Sequence, residues 1–156
     1  MQLKMAVKRL LQRKRQPKLH ERHLQDLVRY DLGDGVFLAA YWKVTSEGRG
    51  PCSSLYVGEN EVLRFDCFGE RKGHYHTHLY EWDVQESPKW RIYFLKKLIE
   101  EQVEGAAREI KTNSVRYLTE SRHKKIRLVH IDPKRLEEAV NQMRDQMLVY
   151  IKRSTS

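Results

Sequence analysis

Only two of the 156 residues are cysteine, Cys52 and Cys67. Two thiols build no disulfide framework and match no zinc spacing of their own, so a reducing cytoplasm is the natural setting. No run of about 18 apolar residues occurs, which argues against a membrane-spanning helix. The start, MQLKMAVKRLLQRKR, interrupts its apolar stretches with Lys and Arg too often for a signal-peptide core, so secretion is not expected. Acidic residues are in deficit: 21 Asp and Glu face 30 Lys and Arg, a net charge of +9. That excess favours polyanion partners, nucleic acid above all, or an acidic protein. Internal repeats and low-complexity blocks are also missing, which excludes a solenoid or a linker-rich chain.

Apolar residues make up 40% and charged residues 33%, the mixture of a globular chain with a wet surface. The length suits one domain with a real core. Residues 1–26 read as a basic helical arm. Leu3, Val7, Leu10 and Leu11 form an apolar stripe over residues 2–15, Pro17 ends it, and a second short helix is expected over 19–27. Residues 27–151 read as one α+β domain and residues 152–156 as a polar tail. Two strands flank a turn at Asp31–Gly35, SEGRGP is a loop, and Ser53–Val57 and Val62–Phe68 flank a tight Gly-Glu-Asn hairpin. His74–Glu81 is expected to be a further strand. With no helix between them, these strands form an antiparallel sheet.

Ser87 and Pro88 predict a helix running to about residue 110 and stopping near Asn113. Lys125–Ile131 alternates and predicts a strand. Asp132-Pro133 predicts a last helix carrying Leu136, Val140, Met143, Met147 and Tyr150 inward. The expected architecture is a curved antiparallel sheet of about four to six strands, with two longer C-terminal helices on it and a basic N-terminal helix.

The densest chemistry lies in residues 61–81, EVLRFDCFGERKGHYHTHLYE. His74, His76 and His78 alternate, so on a strand they line one face. Gly69–Gly73 is the turn. Pairing Asp66 opposite His76 and Arg64 opposite His78 brings both onto the histidine face and sends Leu63, Phe65 and Cys67 into the core. A slip of one residue would bury the polar set instead.

Three kinds of chemistry fit. RNA cleavage through its own 2′-hydroxyl needs a base, an acid and cations at the phosphate. His76 and His74 are the base and acid candidates and Asp66 the orienting carboxylate. Arg64, Arg71 and Lys72 are the phosphate contacts. His78 and Glu81 extend the same set. No resident cofactor is expected, but a divalent metal would find His74, His76 and Glu81 at a workable spacing. His74-x-His76-x4-Glu81 also resembles half of the first cupin motif, but the second motif is missing. The bland account is a polar sheet face covered by a helix and satisfied by Asp66, Glu81 and backbone groups. Two decoys carry little: Arg116 to His123 and Arg15 to His20 match a loose spacing seen in helical RNases. Cys67 alternates toward the core and is no nucleophile.

Arg64-Phe65-Asp66, a short turn, Lys72-Gly73-His74-Tyr75-His76 and then Glu81 resemble the TumE-type proteins of bacterial toxin–antitoxin modules. The likeness covers about residues 27–111. It implies a cytoplasmic toxin neutralised by a helix-turn-helix antitoxin, with Asp66, His74, His76 and Glu81 as signature positions. Their catalytic roles do not follow from it. His78 and Cys67 are outside that pattern, as are the N-terminal arm and everything after Asn113. The alternative is a noncatalytic interaction or metal-binding module whose basic surface meets an acidic partner.

Overall fold

The computed structural model describes residues 24–77 and 91–156. The expected N-terminal helix, the Ser87-Pro88 helix start, His78 and Glu81 lie outside those residues. Six strands follow one another as an antiparallel meander, each hydrogen-bonded to the next in an open sheet. They are β1 (Leu24–Gly33), β2 (Val36–Val44), β3 (Arg49–Val57), β4 (Asn60–Asp66), β5 (His74–Thr77) and β6 (Arg91–Tyr93). Three helices come after them: α1 (Ile99–Thr119), the single turn α2 (Lys124–Arg127) and α3 (Pro133–Ser154). None of the described helices is long and apolar enough to cross a membrane.

Local chemistry sets the hairpins. Gly33 pairs with Val36, leaving Asp34 and Gly35 as a two-residue turn with φ of 52° and 74°. Positive φ at both positions is the type I′ turn, whose twist matches that of paired strands. Gly58 and Glu59 join β3 to β4 with Gly58 at φ 61°, the glycine-first pattern of a type II′ turn. Between β2 and β3 the Thr45 hydroxyl donates to the Gly48 carbonyl and accepts from the Glu47 and Gly48 amides.

Alternation then sorts the two faces. Leu38, Leu55, Leu63 and Phe65 point toward α1 and α3 and meet Val103, Ile110, Val140, Met143 and Met147 in the main core. The opposite face carries Ala39, Tyr41, Cys52, Tyr56 and Phe68 in a smaller cluster. The Asp66–His74 row belongs to this second face.

Several sequence expectations change. The stretch 91–93 is a strand on the outer edge of β5, not the body of a helix, and α1 begins only at Ile99. Ile92 pairs with Tyr75, so an open sheet edge recruited residues whose spacing also fits a helix. The helix passes Asn113 because its side chain donates to Glu109 one turn back. Ser114 likewise donates to the Ile110 carbonyl. Lys125–Ile131 is not a strand: it opens as α2, only Ile126 is buried there, and Leu128 is exposed. Residues 24–26 belong to β1, not to a helical arm, and β3 takes in Arg49, Gly50 and Pro51 of the expected loop. Residues 152–154 finish α3 and are not tail. Asp132 caps that helix as expected, accepting from the Lys134 amide at 2.8 Å with Pro133 in the first turn.

Gln102 of α1 is buried and stitches the β4–β5 turn to the helix. Its Oε1 accepts from the Gly69 amide at 2.9 Å and its Nε2 donates to the Lys96 carbonyl at 2.8 Å. A side chain on Gly73 would overlap the same amide group. Gln102→Leu leaves a buried Gly69 N–H without an acceptor. It is expected to cost about 1–3 kcal/mol, read as a lower urea midpoint at unchanged slope.

Candidate functional site

Asp66, at the end of β4, is the hub. It is 1% exposed, while His74 and His76 are 3% and 4% exposed. The ladder sets Asp66 opposite His74 and Arg64 opposite His76. That is two residues from the expected pairing, but the parity is unchanged, so the same side chains share a face. Cys67 and Phe68 leave the ladder to make the longer turn. The Cys67 amide goes to Pro51 and the Gly69 amide to Gln102.

Five groups converge on the Asp66 carboxylate. Lys43 Nζ stands 3.4 Å from Oδ1 and Cys52 Sγ donates to the same oxygen at 3.2 Å. Arg64 Nε donates to Oδ2 at 3.2 Å, and His74 Nε2 and His76 Nε2 lie 3.3 and 3.5 Å from that oxygen. A second carboxylate extends the network. Glu61 meets Arg64 Nη1 at 3.4 Å, Ser54 at 3.2 Å and the Tyr56 hydroxyl at 2.8 Å.

Burial alone would raise the Asp66 pKa, but Arg64, the two imidazoles and Lys43 outweigh it and hold the group well below the usual carboxylate range. Burial lowers His76 below the ordinary imidazole value, and Asp66 restores only part of that loss. Burial, with the Asp66 charge added, raises the Cys52 thiol well above its usual value, so it is no nucleophile. The same holds for Cys67, where burial again leads.

The two imidazoles differ. His74 Nδ1 faces the Lys72 carbonyl at 2.7 Å. A carbonyl only accepts, so the Nδ1 carries the proton and Nε2 is turned to Asp66. His76 Nε2 is buried and makes no hydrogen bond, although Asp66 Oδ2 lies 3.5 Å away. The rings stand 4.9 Å apart, edge to face.

A cavity of about 350 Å³ opens beside this hub. Its wall includes Lys43, Arg64, Arg91, Glu47, Asp66 and His74. Arg91 Nη1 pairs with Glu47 at 2.7 Å, while Arg91 Nε is buried without a hydrogen-bond partner. His76 lies between Arg64 and Arg91 in the ladder and is not part of this wall.

No protein-family model, no curated protein and no solved structure matches this chain.

Of the residues singled out in the sequence, Arg64, Asp66, His74 and His76 come together. Arg71 and Lys72 are exposed in the turn, and neither lines the cavity; Lys72 contributes its carbonyl to His74. His78 and Glu81 lie outside the described residues. The helices occupy the other face of the sheet, so no described helix covers the histidines. Lys43 and Arg91 are the site residues that sequence reasoning missed. Alternation along Ala39, Tyr41 and Lys43 was a usable signal for the first. Arg91 had none, because its segment carries a helical spacing.

Proposed function

We propose that this sheet face is the working surface of a toxin-like protein of a toxin–antitoxin module, directed at RNA phosphodiesters. The observation that carries the reading is the cavity wall. Three cations, Lys43, Arg64 and Arg91, and His74 border one polar space. Arginine and lysine are the side chains that hold a phosphate. Each cation already has a carboxylate partner, so an entering phosphate exchanges partners instead of meeting bare charge.

The reaction that fits these groups is transesterification. A base takes the 2′-hydroxyl proton, O2′ attacks phosphorus, and a 2′,3′-cyclic phosphate forms. The 5′-oxygen departs with a proton from the acid. His74 lines the cavity and is the first proton-transfer group a substrate meets; His76, beside it, is the second. Lys43, Arg64 and Arg91 hold the phosphate during the attack. The toxin part of the reading rests on the likeness to TumE-type proteins. With it come a cytoplasmic setting and a helix-turn-helix antitoxin as the expected partner.

The test is induction of the wild type and of a His74→Ala/His76→Ala variant, with growth and total RNA followed together. Purified protein is then given an RNA oligonucleotide and its all-deoxy counterpart. Growth arrest, cyclic-phosphate ends and an intact deoxy strand are expected from the wild type alone, at equal soluble expression. Normal growth with intact RNA would remove the reading.

A further inference from the structure

His76 Nε2 presents a problem that protein groups do not solve. A buried ring nitrogen without a partner costs on the order of 1–3 kcal/mol. His76 belongs to a buried cluster with His74 and Asp66, in which one ligand atom from each residue lies within 4.8 Å of the others. Ligand atoms about 2.1 Å from a tetrahedral zinc ion stand roughly 3.4 Å apart. The two distances from Asp66 Oδ2, 3.3 Å to His74 Nε2 and 3.5 Å to His76 Nε2, bracket that value, and the His74–His76 separation, within 4.8 Å, closes toward it when both imidazoles take one ion. We propose that Asp66, His74 and His76 form a binding site for a divalent transition-metal ion of the zinc class, with its open position toward the cavity.

The surroundings fit. Metal-ligating histidines commonly donate their other ring nitrogen to a carbonyl or carboxylate, which sets the tautomer and aims the lone pair. His74 does this through Nδ1 and the Lys72 carbonyl at 2.7 Å. The carboxylate is oriented from outside by Arg64 on Oδ2 and by Lys43 and Cys52 on Oδ1. A carboxylate oxygen has two lone pairs, so Oδ2 can serve Arg64 and a metal together. Two imidazoles and one carboxylate suit zinc, iron, nickel or copper, and leave room for a fourth ligand. Asp66 and His74 both reach the cavity, which gives an entry path. Lys43 and Arg64 repel a dication, so they lower its affinity without blocking its place.

This site differs from the one the sequence suggested. The carboxylate is Asp66 on the neighbouring strand, directly opposite His74, in place of Glu81. The inference stands apart from the RNA reading. Where both hold, they exclude each other in time: a metal that occupies both Nε2 lone pairs leaves neither imidazole free to move a proton. Bound zinc would be an off state of the cleavage reaction.

The experiment uses the whole chain, stripped with a chelator and titrated with zinc. Expected are one zinc per chain, a metal-edge absorption spectrum showing two imidazoles and no sulfur, and movement of the His74 and His76 Nε2 signals in nitrogen-15 spectra. His76→Gln should weaken binding on the order of 100-fold or more, while His130→Gln should not change it. A sulfur ligand, unmoved imidazole signals, or His76→Gln binding like the wild type would overturn the proposal. The wild-type spectra decide the matter even if His76→Gln does not fold. RNA cleavage is followed in the same samples. Zinc binding with no cleavage, stripped or loaded, counts against the RNA reading alone. Cleavage by stripped protein that zinc neither binds nor slows counts against the metal site alone.

Discussion

Asp66→Ala is expected to remove about 3–5 kcal/mol of stability, the range seen when one partner of a buried ion pair is deleted. The reason is what remains behind. Arg64 is mostly buried and its pKa is raised only because Glu61 and Asp66 outweigh the burial that would lower it. Without Asp66, Lys43 loses its partner, Arg64 keeps one carboxylate of two, and both imidazoles lose the anion beside them. Asp66→Asn keeps the shape but not the charge, and should fall between the variant and the wild type. Denaturant melts of metal-free protein check the order. A cost under about 1 kcal/mol for Asp66→Ala would mean that the network is worth no more than a surface pair.

The same groups set the acid limit. The folded pKa of Asp66 is depressed, so its stabilisation is complete above the unfolded value, about 3.9, and disappears as pH falls through the folded value. His76 is also depressed in the fold. Below about 6.5 the unfolded chain takes its proton first, and stability declines as pH falls toward the folded value. Acidification should therefore weaken the metal-free protein in two steps, one below about 6.5 and one below about 3.9. Asp66→Asn should lose the lower step. Its upper step should deepen, because His76 no longer has the anion that partly restores its pKa.

His74→Ala is expected to reduce RNA cleavage by about 100- to 10,000-fold, the usual contribution of a positioned proton-transfer group. His74 lines the cavity and His76 does not, so His74 should carry the larger loss of the two. Lys43→Ala and Arg91→Ala should act differently, weakening RNA binding and raising KM at an undisturbed pH profile. Single-turnover rates at saturating RNA separate the two classes. Equal losses for His74→Ala and His130→Ala, with folds intact by circular dichroism, would show that the cavity is not where cleavage occurs. His130 provides that comparison because it lies outside the cavity wall.

Turn residues and alternation carried most of the fold. Asp34-Gly35 and Gly58-Glu59 favour tight hairpins, because aspartate and glycine tolerate the positive φ that these turns take at Asp34, Gly35 and Gly58. Period-two alternation from Leu63 to Asp66 and from His74 to His76 assigned the faces correctly even with the register two residues off, since parity survives an even shift. Asp132-Pro133 declared the last helix for the same local reason.

Where local signals conflict, only the assembled protein decides. Residues 91–93 have a helical spacing, and became a strand because β5 offered an unpaired edge. Asn113 looked like a stop, and stayed helical because Glu109 lay within reach. The candidate site divides in the same way. Its histidines and Asp66 were visible as a pattern along the chain. Lys43 joined them only across the intervening strand β3, and Arg91 only through the pairing of β6 with β5. The approach of the Asp66 and His74 ligand atoms to one unpartnered nitrogen is likewise a distance between side chains that no one-dimensional pattern contains.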